Sequence, residues 1–378
     1  MTDQPEPNHS RHIVFAGGGS GGHLTPAIAI AEALLTFDPH AQLTFLTSGR
    51  DIDGIVLRNS FVANDKRCTI IRLPMTQPPR INRSGPSHTW ILWKSILRCC
   101  RVLKQRPAAA MLSTGAFASV PGLLAAKCLR IPVVLFEANV VHGKVNQRWA
   151  RHAVLRLGGW PTKNSPTDSD FRYVGMPVRS VVPARTNSQS VTQESKVQQI
   201  LIVGGSQGSH RLNDIVRAAL GKMSLSEHWK ILHQTGSNDA SYIQPNCGRC
   251  NISTIPYIDD LPQALSRSEF AISRAGAVTL GEIAATGCPS ILVPLSVSAE
   301  NHQQKNALQF VKCGAAVLVD ESSPQAVDDM VSAINQLIRD VEIREAMSEA
   351  ARSLHQPRAS DRIAKLLIEV ADRTQGDD

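Results

Sequence analysis

The chain has 378 residues, of which 42% are hydrophobic and 19% are charged, and its formal net charge is +8. The length predicts two domains, and the hydrophobic fraction is large enough for full cores, which excludes wholesale disorder. The charge is uneven, because residues 1–180 hold 22 basic and 10 acidic side chains (+12) whereas residues 181–378 hold 18 and 22 (−4), and the two sums give +8. We therefore expect the halves to meet different partners, the first of them anionic.

The start of the chain is polar and contains prolines, without the basic region and apolar run of a signal peptide. The best candidate for a membrane span, 119–141, is interrupted by charged residues, so none is predicted. These features predict a cytosolic protein with at most peripheral membrane contact. The eight scattered cysteines predict reduced thiols, and the C-x-x-C pair of Cys247 and Cys250 lacks the further ligands of a zinc site, so no metal is predicted.

Short β-branched runs alternate with helical patterns, which is typical of βαβ units and parallel sheets. The strands predicted in the first half are His12–Ala16, Gln42–Thr47, Ala109–Ser113, Pro132–Glu137 and Ala153–Leu157. The strands predicted in the second half are Gln199–Val203, Lys230–Gln234, Phe270–Ser273, Ser290–Pro294 and Ala316–Val319. The segment 177–196 has no apolar periodicity and reads as a linker. We predict domains at 1–180 and 197–378, a linker at 181–196, and a last helix that returns toward the first domain.

The first strand is followed by a glycine-rich turn, Gly17–His23, and then by a helix. Such a turn brings backbone amides close to a phosphate, although it is also the tight turn that any Rossmann unit needs. A Walker A loop is excluded, because His23 and Leu24 stand where Lys and Ser or Thr are required. A dinucleotide fingerprint fits, but the next strand ends without the usual acidic residue. Arg50 could accept a 2′-phosphate there, so an NADP-dependent oxidoreductase remains an alternative.

A two-domain nucleotide-sugar transferase explains more, because it accounts for a histidine at the mouth of the first loop. His23 begins a helix at the carboxyl edge of the first strand, where an imidazole can act as a general base or simply bond to backbone. A nucleic-acid binder is a third alternative that uses the basic half, but the chain has no recognised binding motif.

A basic stretch follows, with 12 basic residues and no acidic one between Lys66 and Phe136. Within it, 90–104 predicts an amphipathic helix. One predicted face consists of Leu92, Trp93, Ile96, Leu97, Cys100 and Leu103, and the other consists of Lys94, Arg98, Arg101 and Gln105. The segment is either an ordinary Rossmann helix with a solvated basic face or a docking surface for anionic lipid. The residues predicted to face the membrane and acceptor are Arg80, Arg83, Trp90, Trp93, Lys94 and Arg98.

The second half repeats the opening of the first, with a glycine turn at Gly204–His210. Two Rossmann-like domains that face each other across a cleft are therefore predicted. Farther on, 273–282 predicts a strand end, a turn and a helix start whose amides suit a diphosphate, with Glu282 placed to bond ribose hydroxyls or to complement the helix dipole. The amide-rich run 300–306 suits sugar hydroxyls or forms a polar helix surface.

Six motifs occur in order between about residue 12 and residue 365. They are Gly19–Pro26, Gly175–Arg179, Gly204–Gly208, Tyr257–Asp260, Arg274–Glu282 and His302–Ala307. In these motifs the chain closely resembles the N-acetylglucosaminyltransferases of peptidoglycan synthesis, in glycosyltransferase family 28 of the GT-B class. The resemblance implies transfer of N-acetylglucosamine from UDP-N-acetylglucosamine to the muramoyl-pentapeptide of a diphospho-undecaprenol lipid. It also implies peripheral attachment at the cytoplasmic face of the inner membrane, and neither metal nor cofactor.

The resemblance implies a single displacement that inverts the anomeric carbon, and it places His23, a candidate base, beside the residues that line the donor sugar. The family's His-Glu-Gln-Asn run reads Phe-Glu-Ala-Asn at 136–139, which leaves Glu137 as a second candidate base. Asn139 and Gln303 are implied to bond the donor sugar.

The resemblance also assigns a donor site that runs through both halves of the chain. Its residues are Ser20, Gly21, Gly22, Asn139, Arg179, Ser206, Ile258, Ala277, Val278, Thr279, Leu280, Gly281, Glu282 and Gln303. Residues 20–22 line the donor sugar and the acceptor side, Arg179 and Ser206 contact the diphosphate region, and the Ile258 backbone reads the uracil edge. Residues 277–282 hold diphosphate and ribose.

Overall fold

The chain forms two compact units. The structure is a computed structural model that describes residues 10–19, 21–77, 86–161, 171–178, 197–205, 208–236, 244–296 and 301–375. The first unit consists of Met1–Ala138, His142–Pro177 and Arg358–Asp378, and the second of Asn139–Val141 and Val178–Pro357. The last segment of the chain is therefore grouped with the first unit, and the predicted linker 181–196 lies outside the described residues.

Strands and helices alternate in both units. The strands of the first unit are β1 (His12–Ala16), β2 (Gln42–Thr47), β3 (Cys68–Arg72), β4 (Ala110–Ser113), β5 (Val133–Glu137), β6 (Leu155–Gly158) and β7 (Phe171–Tyr173). The strands of the second unit are β8 (Gln198–Val203), β9 (Trp229–Gln234), β10 (Asn251–Ile255), β11 (Phe270–Ser273), β12 (Ser290–Leu292) and β13 (Ala316–Leu318). The helices before residue 178 are α1 (Gly21–Phe37), α2 (Asp51–Arg58), α3 (Pro86–Gln105), α4 (Ala116–Cys128) and α5 (Lys144–Trp149). The helices after it are α6 (His210–Gly221), α7 (Leu261–Ser266), α8 (Ala277–Thr286), α9 (His302–Lys312), α10 (Ala326–Arg339), α11 (Val341–Ser353) and α12 (Ala359–Gln375).

Each unit contains one sheet, and all strand pairs in both sheets are parallel. The strand orders are β3-β2-β1-β4-β5-β6-β7 and β10-β9-β8-β11-β12-β13. The predicted α/β class with parallel sheets is confirmed. All ten predicted strands are present, with ends displaced by at most two residues.

Three strands were not predicted, namely β3, β7 and β10, and each lies at an edge of its sheet. Their residues are half-buried or exposed, whereas β1 and β11 are buried at every position. An edge strand has a neighbour on one side only, so its sequence is not the continuous apolar run that identifies a central parallel strand.

The first unit closes around α12, which packs against α1. Arg11, just before β1, links the two ends of this unit, because its guanidinium contacts Asp38 at 2.7 Å and Asp372 of α12 at 2.6 Å. In the core beneath, the rings of Phe15 and Phe45 stack with centroids 5.0 Å apart. The sheet and α12 thus hold the ends of β1 and β4 in place.

The second unit has its own core, in which Phe270 of β11 packs near Trp229 of β9. In the loop before β10 the sulfurs of Cys247 and Cys250 are bonded, so the prediction of reduced thiols is wrong at this pair. The other six cysteines form no disulfide. Among the described residues, none of the helices has both the length and the apolar character needed to cross a bilayer.

Candidate active site

The first glycine loop packs tightly against the ends of neighbouring elements. Gly18 and Gly19 have φ values of +138° and +88°, which only glycine adopts without strain. A Cβ atom at Gly17 would overlap the hydroxyl of Thr114, and one at Gly19 would lie 2.6 Å from the ring of Phe117. The glycines therefore allow close contact with protein side chains.

Two charged side chains hold the peptide groups of Gly19. The carboxylate of Asp53, which is 1% exposed, accepts from Gly19 N at 2.8 and 2.9 Å, and it also accepts from the Ser48 backbone at 3.1 Å. Arg50 donates to Gly19 O at 2.7 Å and to Thr76 O at 2.6 Å. The Gly19 amide is thus already engaged by an anion, and the Arg50 guanidinium is engaged by carbonyl oxygens. Neither the Gly19 amide nor the Arg50 guanidinium is therefore available to bind the phosphates of a dinucleotide.

His23 lies in the first turn of α1, directly after Gly21 and Gly22, and its side chain is half-buried. Its Nδ1 atom is 2.8 Å from the carbonyl oxygen of Thr114, at the end of β4. A carbonyl oxygen can only accept, so Nδ1 of the neutral ring carries the proton and Nε2 carries the lone pair. No described residue hydrogen-bonds to Nε2, which suits this nitrogen to take a proton from a bound hydroxyl.

Glu137 ends β5 and is 5% exposed. Its Oε2 atom accepts from Gly143 N at 2.9 Å and from Asn146 Nδ2 at 2.8 Å. These bonds fix the turn into α5, so the geometry favours a structural role for this carboxylate over that of a base. The neighbouring Phe136 and Ala138, which depart from the family pattern, are both buried.

In the second unit, Asn139 is joined to α9 and to the turn before α8. Its Oδ1 atom accepts from Asn306 Nδ2 at 3.1 Å, and Asn306 Oδ1 accepts from Val140 N at 3.0 Å. Asn306 is 1% exposed and also donates to Ala275 O at 3.3 Å. The structure therefore brings Asn139 and the start of the α8 motif together around one buried amide.

The N-terminus of α8 offers unengaged backbone donors. The first backbone bond of the helix runs from Leu280 N to Gly276 O at 2.9 Å, so the amides of Ala277, Val278 and Thr279 have no partner in the helix. With the positive end of the helix dipole, these three amides suit a bound anion. Leu280 is fully buried, so only its backbone lies near this terminus.

Three further residues predicted to bind the sugar-nucleotide donor, Gln303, Ile258 and Glu282, lie in described parts of the second unit. Gln303, near the start of α9, accepts from Leu295 N through Oε1 at 3.0 Å, so its NH₂ group faces away as a donor. The backbone N–H and C=O of Ile258 have no hydrogen bond to any described residue, which leaves both for a base edge. Glu282 is buried in the second turn of α8, and Gly281 beside it is buried as well.

A buried ion pair between Arg274 and Glu321 lies beside the second glycine loop, and Arg274 bonds to Ser209 of that loop. This pair was not identified from the sequence. Arg274, directly after β11, contacts Glu321 at 2.7 Å and donates to Ser209 Oγ at 2.6 Å and to Val293 O at 2.9 Å. Ser209 caps the N-terminus of α6. The only sequence signal was one arginine among the small residues of the motif, and its partners lie 19 to 65 positions away along the chain.

The carboxylate of Glu321 has a pKa below its ordinary value of 4.5. Burial alone would raise this pKa, but hydrogen bonds from Ser296 and the contact with Arg274 together outweigh it. The ionised form is therefore the one that the fold stabilises.

Several predicted site residues lie outside the described residues. They are Ser20, Arg80, Arg83, Arg179 and Ser206.

Helix α3 exposes the tryptophans of the basic stretch. Trp90, Trp93 and Leu97 are 60%, 59% and 54% exposed, and Lys94 Nζ lies 5.2 Å from the centroid of the Trp90 ring. Arg98 is also exposed and donates to a backbone carbonyl at 3.0 Å. Trp93 and Leu97, which belong to the apolar face in the sequence pattern, therefore lie at the surface.

The side of α3 that is buried carries Ser95, Cys99 and Leu103. Small side chains pack there because α3 lies closely against α4. We name the exposed group of Trp90, Trp93, Lys94, Leu97 and Arg98 the α3 patch.

Comparison with known proteins identifies the family. Residues 13–154 match the glycosyltransferase family 28 N-terminal domain, and residues 199–363 match the glycosyltransferase family 28 C-terminal domain. The chain is 31% identical over 370 residues to a protein of Anaeromyxobacter sp., covering 96% of this chain and 94% of that one. That protein is named UDP-N-acetylglucosamine–N-acetylmuramyl-(pentapeptide) pyrophosphoryl-undecaprenol N-acetylglucosamine transferase.

A protein of the same name from Carboxydothermus hydrogenoformans is 32% identical over 331 residues, covering 85% of this chain and 87% of its own. The crystal structure of Acinetobacter baumannii MurG aligns with a TM-score of 0.73 at 26% identity, over 95% of this chain and 99% of that one. The chain belongs to glycosyltransferase family 28, and its fold is that of the GT-B glycosyltransferases. The alternative of an NADP-dependent oxidoreductase is wrong, in agreement with the engaged Gly19 amide and Arg50.

Because of the Arg274–Glu321 pair, we expect the free energy of unfolding of the second unit to fall at acidic pH. Because the pKa of Glu321 is lowered on folding, its contribution to the free energy of unfolding is present above pH 4.5 and is lost as the pH falls through the lowered value. Glu321→Gln should flatten the loss of stability in that range, as measured by urea denaturation at a series of acidic pH values. Glu345→Gln, at an exposed position of the same unit, is the control and should leave the pH dependence unchanged. Equal pH profiles for the Glu321→Gln variant and the unmodified protein would contradict the assignment.

Proposed function

We propose that this protein transfers N-acetylglucosamine from UDP-N-acetylglucosamine to undecaprenyl-diphosphate-N-acetylmuramoyl-pentapeptide, which converts lipid I into lipid II in peptidoglycan synthesis. The relatives described above carry this activity in their names and match nearly the whole chain. The observation that carries the proposal is the orientation of His23, whose Nδ1 atom is bound to Thr114 O while Nε2 stays available. This arrangement suits removal of a proton from an acceptor hydroxyl.

The reaction is a single displacement. The proton of the acceptor hydroxyl moves to Nε2 of His23, the hydroxyl oxygen bonds to the anomeric carbon, and the bond from that carbon to the diphosphate oxygen breaks to release UDP. Attack from the side opposite the leaving group inverts the anomeric carbon. A positioned general base supplies roughly 10²- to 10⁴-fold in rate.

The leaving diphosphate gains negative charge as its bond to the sugar breaks. We place it at the amides of Ala277, Val278 and Thr279, because preorganised donors stabilise charge that develops in the transition state. Glu282 is assigned to ribose hydroxyls. The Ile258 backbone is assigned to the uracil edge.

The sugar is assigned to Asn139 and to the NH₂ group of Gln303, whose orientation is fixed by Leu295. Residues 20–22 remain assigned to the acceptor side. Arg179 and Ser206 remain assigned to the diphosphate region.

For the lipid acceptor we infer peripheral attachment at the cytoplasmic face of the inner membrane through the α3 patch. Exposed tryptophans beside a lysine combine an apolar surface with a cation, which suits the interface of an anionic bilayer. The patch lies in the stretch from Lys66 to Phe136, which contains no acidic residue. Arg80 and Arg83 are assigned to the same surface. No nucleic acid is proposed as a partner.

His23→Ala should retain UDP binding and lose about 10²- to 10⁴-fold in turnover, because only the base is removed. The measurement is transfer of labelled sugar from UDP-N-acetylglucosamine to a short-chain lipid acceptor, with UDP binding followed by calorimetry. His40→Ala, at an exposed position of the same unit, is the matched control. Near-normal turnover of the His23→Ala variant would remove His23 as the base, and Glu137→Gln would then be tested in its place.

Ala277→Pro should weaken UDP binding about 10-fold or more, because proline at the first position of α8 removes one amide donor to a charged group. Gly276 has φ −67° and ψ 137°, a conformation that suits a residue before proline, so the helix should still form. Val341→Pro is the matched control, since it places proline at the first position of α11 after Asp340, whose ψ is 100°. Equal UDP affinity in the Ala277→Pro and Val341→Pro variants would argue against a diphosphate at α8.

Membrane docking is tested by sedimentation with phosphatidylglycerol-containing vesicles. Trp93→Ser combined with Lys94→Glu should lower binding at least about tenfold and reduce its dependence on salt. Phe37→Ser combined with Lys365→Glu is the control, because Lys365 Nζ lies 4.8 Å from the centroid of an exposed aromatic ring there too. Docking through the α3 patch is excluded if the two double variants bind alike.

A further inference from the structure

The first glycine loop is fixed at Gly19 from two sides. Its N–H donates to the buried carboxylate of Asp53, and its carbonyl accepts from Arg50 at 2.7 Å. Asp53 also accepts from the backbone N–H and the hydroxyl of Ser48, directly after β2. Asp53 of α2 thus bonds to both the loop and the end of β2, and it ties the loop conformation to these two elements.

The loop also packs tightly against the residues that bond to it. Gly18 lies directly on Asp53, since a Cβ atom there would be 2.5 Å from Oδ2, and Gly19 lies on the Phe117 ring. The Arg50 guanidinium carbon is 5.1 Å from the centroid of that same ring. Removing the carboxylate would leave the buried Gly19 N–H and the Ser48 donors without their acceptor, at a cost of about 1–3 kcal/mol for each unsatisfied group.

We name the contacts of Asp53 and Arg50 with Gly19 the clamp. The clamp is connected to the proposed base, His23, at both ends of the loop. Gly17 packs against Thr114, whose carbonyl oxygen orients His23, and α1 begins at Gly21, only two residues after Gly19. A shift of Gly19 therefore moves the first turn of α1 relative to the end of β4. Misplacement of a reacting group by about 1 Å can cost about 10²-fold in rate.

We propose that Asp53, together with Arg50, is a positioning residue for the transfer reaction. It acts through the Gly19 peptide groups to hold the acceptor-side loop and the first turn of α1 in the geometry that the His23 imidazole needs. The same contact keeps the Gly19 amide from binding phosphate, so that the first loop does not compete with α8 for the nucleotide. This inference rests on the proposed function for its kinetic part only.

Asp53→Asn keeps the size of the side chain but removes the charge and one acceptor. We expect a fall of about 10- to 100-fold in kcat, with little change in UDP affinity or in the KM for the sugar donor. Asp51→Asn is the matched control, because Asp51 is an exposed carboxylate in the same turn of α2 and should leave kcat unchanged. A purely structural role would lower the yield or Tm without this selective loss of kcat in the folded fraction.

A second readout does not depend on activity. Hydrogen exchange measured by mass spectrometry on a peptide covering 17–24 should be slow in the unmodified protein and in Asp51→Asn, and faster in Asp53→Asn. If Asp53→Asn does not fold, Arg50→Lys tests the carbonyl side of the clamp and should lower kcat in the same selective way. Unchanged exchange and unchanged kcat in the variant that folds would overturn the proposal. Absence of transfer by the unmodified protein, with faster exchange in Asp53→Asn, would overturn the proposed function and leave the clamp standing.

Discussion

In each sheet the strand order changes direction once, and this switch point determines where the candidate site residues lie. The first sheet changes direction between β1 and β4, and the second between β8 and β11. At such a point the loops after two neighbouring strands diverge and open a crevice for ligands. The hydrogen bond from His23 to Thr114 spans the first switch point, and the bond from Arg274 to Ser209 spans the second. Both polar constellations therefore follow from topology.

The two halves use similar glycine turns with opposite electrostatics. In the first unit a buried carboxylate, Asp53, accepts from the Gly19 amide of the loop. In the second unit the amides at the start of α8 are unengaged, and the buried guanidinium of Arg274 nearby is paired with Glu321. The Gly19 amide is therefore closed to a bound anion, whereas the amides at the start of α8 are open to one, although the glycine patterns alone look alike.

Strands could be predicted from the sequence where burial on both faces requires a continuous apolar run. The central strands β1 and β11 are buried throughout and were found, whereas the edge strands β3, β7 and β10 were missed because one side of each lacks a neighbour. The surface position of Trp93 on α3 has a different cause.

Periodicity assigns large apolar side chains to the packed face of a helix, but close approach to α4 selects Ser95 and Cys99 for that face of α3. Trp93 is left at the surface as a result. Motif order was a better guide to the family, because six spaced motifs are far more specific than any single turn.

The partners of the loop residues could not be predicted, because they depend on long-range packing. Asp51 and Asp53 stand two positions apart on one short helix, yet the first is exposed and the second is 1% exposed. Nothing local distinguishes them, since the difference arises from where α2 meets the loop after β1. Arg50 was interpreted as a possible phosphate ligand for the same reason, and the fold instead gives it two carbonyl oxygens.

Net charge and buried charge carry different information in this protein. The half with a net charge of +12 is organised at its loop by the carboxylate of Asp53, and the half with −4 is organised by the guanidinium of Arg274. Asp53 and Arg274 are each opposite in sign to the net charge of their half, and both bond backbone or hydroxyl groups at short range, although Arg274 is also paired with the buried Glu321. The surface charge acts over roughly a Debye length of 8–10 Å in solution and so concerns anionic partners such as lipid. The basic character of the first half therefore belongs to its outer surface, while the conformation of its glycine loop depends on the buried carboxylate of Asp53.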